Sequence, residues 1–149
     1  MTAQNSADPV KLDNSAPLSD RPRMISTLSL VALGGAIGAS LRYLSSVAML
    51  RLTGPTEFPL AIVTVNVIGS FLMGAFVVAA AQRGLTHLSP LVMTGLLGGF
   101  TTFSAFSLET VTLMERGQLG HAALYIALSV GLSILGLMLG MAIAKEVFS

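Results

Sequence analysis

The sequence predicts an all-α integral membrane protein of four transmembrane helices, with the third helix broken at membrane depth. Of its 149 residues, 53% are hydrophobic and only 10% are charged. The mean hydropathy of +0.80 lies far outside the range of soluble domains. The apolar residues fall into four runs, each long enough at about 1.5 Å per residue to cross a hydrocarbon core of roughly 30 Å. Within the third run the stretch GLLGGFTTFSAFSLE, Gly95 to Glu109, holds three glycines, two adjacent threonines, two serines, three phenylalanines and a carboxylate. A helix that only had to span lipid would not need that mixture.

Residues 1–24 are rich in Ser, Asp, Asn and Pro without an apolar period, so they are expected to form a disordered polar tail. The remainder, 25–149, is expected to form one four-helix transmembrane domain. Because the first apolar run follows this polar stretch, a cleaved signal peptide is not expected. The first span is predicted over about 25–50 and carries Gly34 and Gly38, a pair that admits a close helix neighbour, then Arg42 and Tyr43. A link with Arg51, Gly54, Pro55 and Glu57 leads to the second span, about 59–81, where Asn66 and Ser70 share a face and Gly69 and Gly74 lie nearby.

Ser89 followed by Pro90 reads as an N-cap and first helical position, opening a third span over about 90–113. After a short polar link the fourth span covers about 120–144. On it His121, Tyr125, Ser129 and Ser133 recur every fourth residue and make a polar face, with Gly136 and Gly140 as another close-packing pair. Four spans put both termini on one side. Arg21, Arg23, Arg83 and Lys145 on that side outnumber Arg51 and Arg116 on the other, a mild bias toward cytoplasmic termini.

The polar groups inside the spans narrow the chemistry. Gly98 and Gly99 have low helix propensity and Thr101 and Thr102 are β-branched, which favours an interruption whose freed carbonyls bind water or a cation. The same glycines also suit simple close packing. Phe103 and Phe106 share a helical face, either as lipid-facing filler or as ring edges whose positive rim accepts a small anion. Asn66, Tyr125, Ser129 and Ser133 offer neutral donors, for an anion or for bonding helices together. Arg42 either draws anions toward a vestibule or snorkels to the headgroups. Glu109 is the one carboxylate within a span, near its end. So many polar groups point to oligomerisation, which would hide them from lipid.

Several classes are disfavoured. The formal net charge is only +1 and the basic residues are scattered, so nucleic acid is not an expected partner. Cysteine is absent, which excludes disulfides and thiolate metal sites. His87 and His121 fall at span ends on opposite sides, away from Ser104, and no metal-ligand spacing occurs, so an enzyme is not expected. A small four-helix dual-topology proton-coupled drug or cation antiporter is the alternative transporter, and a non-transporting assembly subunit is a third possibility. An antiporter needs a proton-cycling membrane carboxylate and aromatics for organic cations. The first span has no acid and the chain has no Trp.

GGAIGASLRY (34–43), VNVIGSFLMG (65–74) and GLLGGFTTFSAFSLE (95–109) resemble the signature segments of the CrcB/Fluc family of bacterial fluoride channels. The similarity extends over all four spans. It implies a multi-pass protein of the cell (inner) membrane, surrounded by lipid, that passes fluoride passively as an antiparallel dual-topology homodimer with two pores. It also implies a structural sodium ion at the dimer centre, held by backbone carbonyls of Gly98 and Thr101. The pore residues it implies are Asn66, Phe103, Phe106, Tyr125, Ser129 and Ser133, with Arg42 and Glu109 matching the family's basic and acidic positions.

Overall fold

The computed structural model describes residues 21–148, and every regular element among them is helical. In chain order these are α1 (Arg21–Thr53), α2 (Leu60–Arg83), a 3-10 turn (Thr86–Leu88), α3 (90–100), α4 (Phe103–Glu115) and α5 (Leu119–Phe148). Four stretches are long and apolar enough to cross a membrane, Arg23–Thr53, Leu60–Arg83, Thr86–Glu115 and Leu119–Phe148, and the third of them contains both α3 and α4. α1 and α5 run several residues past the ends expected from hydropathy, because interfacial residues continue the backbone ladder after the apolar run stops. Thus α1 begins at Arg21, ahead of the expected Ile25. The rest of the tail expected over 1–24 lies outside the described residues.

Each link between spans turns at a glycine with positive φ, Gly54, Gly84 or Gly117, a conformation that costs other residues strain. Ser89 departs from expectation. It has helical dihedrals (φ −55°, ψ −39°) and makes no side-chain capping bond, since the preceding 3-10 turn already leads into Pro90 and Ser89 N–H bonds to Thr86 C=O. Helix α3 is wound loosely as a π-helix over Pro90–Leu97 and tightens to an α-turn at Gly98–Phe100. Long π-wound segments are rare and mark places where a helix is under local constraint.

Two helix pairs organise the bundle. α2 packs along α5, and α1 packs along α3, with the partners in each pair running in the same direction. Lipid tails are as apolar as leucine, so helices in a membrane associate through close backbone packing rather than hydrophobic exclusion. The glycines supply this. A Cβ on Gly74 would meet the Leu137 carbonyl and one on Gly140 the Phe71 carbonyl, while at Gly38 it would meet the backbone of Leu96 and Phe100. Past Phe100 the third span changes neighbours, and α4 packs on α5 instead of α1.

The buried cluster of Val63, Leu113, Ala122 and Tyr125, flanked by Phe58, Ile62, Val67 and Phe106, fixes α4 between α2 and α5. Glu57 accepts a bond from Gln118 Nε2 (2.9 Å) near the same end of the bundle. At the opposite end the Arg83 guanidinium lies 4.7 Å above the Phe148 ring, joining the ends of α2 and α5. Large apolar side chains such as Leu28, Leu33, Leu41 and Leu44 stand exposed along α1, as expected of a surface that meets lipid or another helix.

Candidate ion site at the third span

The site is built around two residues. Thr101 (φ −76°, ψ 159°) and Thr102 (φ −152°, ψ 120°) are extended, separating the end of α3 from the start of α4. Extended backbone here redirects the local hydrogen bonds. Thr101 N–H still reaches Leu97 C=O at 3.0 Å, and its hydroxyl donates to the same carbonyl at 2.9 Å. Thr102 N–H instead donates to Asn66 Oδ1 (2.9 Å), and Asn66 Nδ2 donates back to Thr102 C=O (3.1 Å). One side-chain amide on α2 therefore replaces both missing helical partners of Thr102. The Thr102 hydroxyl then caps α4 by accepting from Ala105 N–H at 3.2 Å.

Diverting these amides leaves carbonyls behind. In a continuous helix Gly98 C=O would accept from Thr102 N–H and Thr101 C=O from Ala105 N–H, and both donors are engaged elsewhere. The intervening Gly99 C=O accepts from Arg42 Nε at 3.2 Å. Two carbonyls stripped of their N–H partners suit a hard cation, which takes oxygen ligands. Among the described residues no group of three or more His, Cys, Asp or Glu side chains gathers into an alternative metal site.

Beside the extended pair lies a cavity of about 350 Å³, whose wall includes Asn66, Thr102, Phe103, Phe106, Ser129 and Ser133. None of its lining residues is charged. Ser129 is 4% exposed and its hydroxyl has no partner. By contrast Ser107, Thr110 and Thr112 on α4 all donate back to carbonyls one turn earlier. A buried hydroxyl without an acceptor costs about 1–3 kcal/mol, so this one suits an acceptor that enters the cavity.

Aromatic rings continue from the cavity in a chain. Phe103 and Phe106 are 5.4 Å apart between centroids, Phe106 and Tyr125 5.3 Å, and Tyr125 meets Phe58 edge-on at 5.8 Å. Phe103 is 78% exposed, whereas Tyr125 is fully buried with its hydroxyl unpartnered.

Of the residues singled out from the sequence, Asn66, Thr101, Phe103, Phe106, Ser129 and Ser133 thus meet on one cavity. Tyr125, Gly98 and Arg42 stand outside its wall. Glu109 borders a second cavity of about 440 Å³, together with Arg116, Glu57 and Ser46. The sequence reading counts Thr102 only toward the interruption and does not foresee its bonds to Asn66 or its cap on α4. Its position immediately before an apolar helical run is an N-cap signal, but its pairing with Asn66 depends on two spans meeting.

Four helices long and apolar enough to cross a membrane place this chain in the class of multi-pass membrane proteins. Within that class, this chain belongs to the CrcB family. The family model described as CrcB-like protein, Camphor Resistance (CrcB), matches residues 29–141. The chain is 68% identical over 123 residues to the Fluoride-specific ion channel FluC of Roseobacter denitrificans, covering 82% of this chain and 98% of that protein. It is 67% identical over 126 residues to the FluC of Ruegeria sp., covering 85% of this chain and all of that one (100%). With the FluC of Jannaschia sp. the identity is 80% over 92 residues, 62% of this chain and 88% of the relative.

Proposed function

We propose that this protein is a fluoride-selective passive channel that lowers cytoplasmic fluoride across the cell (inner) membrane. The observation that carries the reading is the cavity of neutral donors and ring edges, with Ser129 buried and unpartnered on its wall. A desolvated anion needs donors and no carboxylate. Asn66 retains one amide N–H beyond the one given to Thr102, and Ser129 and Ser133 supply hydroxyls. Phe103 and Phe106 offer the positive rim of their rings. Together these replace water around a small anion, and a larger halide fits this set of donors less well.

Fluoride enters a cell as its neutral acid and dissociates at the higher internal pH, so an open path down the gradient suffices. Proton-coupled exchange of organic cations would require a carboxylate in the cavity, and Glu109 borders the other one.

The protein acts as an antiparallel homodimer. Gly98 and Phe103 are exposed on a single chain at the middle of the third span. Carbonyls left unpaired against hydrocarbon cost several kcal/mol, and a second copy covers them. Gly98 and Thr101 of both copies would together supply four oxygens for sodium at the dimer centre. When bound, sodium neutralises those oxygens and holds the two interruptions together. The break in the third helix is thus functional, with one side given to a cation and the other to the permeating anion.

Purified protein in liposomes loaded with fluoride, read with a fluoride electrode, tests the reading. Rapid efflux of fluoride but not chloride is expected, and absence of flux or proton-driven uptake of organic cations overturns it. Phe103→Ile is expected to slow fluoride efflux by at least about tenfold, a loss of roughly 1.4 kcal/mol, with the dimer intact on size exclusion. Unchanged rates would remove the ring edge from the path. Replacing sodium by a large organic cation is expected to lower both efflux and dimer stability, and indifference of both to sodium would rule out the central ion.

A further inference from the structure

We infer that Arg42 is a positioning residue: it clamps the Gly99 carbonyl and so determines which oxygens of the third span remain free for a cation. The inference rests on the fluoride-channel reading with a cation at the interruption. It assigns Arg42 a task different from drawing anions into a vestibule.

The geometry begins at Gly38. A Cβ there would lie 2.8 Å from Phe100 N and would also meet the Leu96 carbonyl, so α1 is held against the backbone of α3. A Cβ on Gly99 would in turn lie 2.7 Å from Gly35 C=O, which makes the contact close from both sides. Arg42 is one helical turn beyond Gly38, which brings its half-buried side chain to the carbonyls at the end of α3. Its Nε donates to Gly99 C=O at 3.2 Å, across 57 residues of sequence. Arg42 forms no ion pair with a carboxylate among the described residues, so its guanidinium charge stays directed at this carbonyl.

Three consecutive features then divide the labour of the segment. Gly98 and Thr101 lose their amide donors because Thr102 N–H and Ala105 N–H are diverted. Gly99 is one of the two residues between them, and its carbonyl would be a further free oxygen without Arg42. A carbonyl already bonded to a guanidinium is a poor ligand for a cation, both because its lone pair is engaged and because a positive charge stands behind it. The clamp therefore withholds Gly99 and fixes the backbone that presents Gly98 and Thr101.

Arg42→Lys separates this role from charge attraction. Lysine keeps the positive charge but lacks the planar fork that places Nε–H on the carbonyl. In liposomes, Arg42→Lys is expected to raise the sodium concentration for half-maximal fluoride efflux by at least about tenfold, with the dimer intact. The effect should persist at fixed sodium when potassium salt takes the ionic strength from about 0.01 M to about 1 M, which shortens the screening length from roughly 30 Å to roughly 3 Å. A wild-type sodium response in Arg42→Lys overturns the clamp, as does a loss seen only at low ionic strength.

Amide hydrogen exchange supplies the independent readout. Both Arg42→Lys and Arg42→Met, which keeps the apolar stem, should speed exchange at Thr101 and Thr102 while leaving α5 unchanged. Should wild-type efflux not respond to sodium, the cation reading fails by itself, and the exchange data decide the clamp: unchanged exchange in both variants refutes it.

Discussion

Asn66→Asp is expected to abolish fluoride efflux from liposomes while the protein still inserts in the membrane. Two effects act together. The aspartate can accept from Thr102 N–H as Asn66 Oδ1 does now at 2.9 Å, but it has no N–H to return to Thr102 C=O, now bonded at 3.1 Å. It also places a negative charge on the wall of a cavity that otherwise holds none. At a separation of about 5 Å and an effective dielectric of about 20, repulsion of a permeating anion is about 3 kcal/mol, roughly two orders of magnitude in rate. Asn66→Ala removes both Thr102 bonds without adding charge, so its loss should be smaller and accompanied by faster amide exchange at Thr102. Near-normal conduction by Asn66→Asp would take Asn66 out of the fluoride path.

The second large effect is on folding. Gly140→Leu is expected to prevent recovery of a monodisperse protein, and Gly140→Ala to destabilise it by about 1–3 kcal/mol, the usual cost of overpacking. A Cβ at Gly140 meets the Phe71 carbonyl and lies 3.0 Å from Ala75 N, while one at Gly74 meets the Leu137 carbonyl in the same crossing. Backbone cannot rotate away as a side chain can, so α2 and α5 must separate. Because both glycines serve one crossing, the cost of Gly74→Ala should not add fully to that of Gly140→Ala. Gly120→Ala is the control, since its Cβ would meet nothing within 4 Å. Thermal unfolding in detergent reads the series. Equal stability of Gly140→Ala and Gly120→Ala would contradict the packing described for α2 and α5.

Much of the architecture was legible in the residues. Long apolar runs give membrane spans because helices satisfy their own backbone hydrogen bonds in lipid, and four membrane-capable helices are present. Gly34 and Gly38 signalled a close neighbour, and that neighbour is α3. Ser89 misled as an N-cap because its own backbone is already helical, drawn in by the 3-10 turn before it. The stretch from Gly95 to Glu109 was conspicuous in composition, but its three parts belong to different surroundings. Gly95 and Gly99 face α1 while Gly98 is exposed, Phe103 and Phe106 border the cavity, and Glu109 borders the other one.

By itself the sequence determined the number of spans, the segment of low helix propensity and the supply of neutral donors, since each depends on local composition and on the solvent being lipid. Only the tertiary structure decided which donors answer which acceptors. Asn66 meets Thr102 across 36 residues and Arg42 meets Gly99 across 57. Those meetings depend on the rotation and register of each helix about its neighbour. Hydropathy cannot fix rotation for helices that are apolar on nearly every side, so it is set instead by which glycines let two backbones touch.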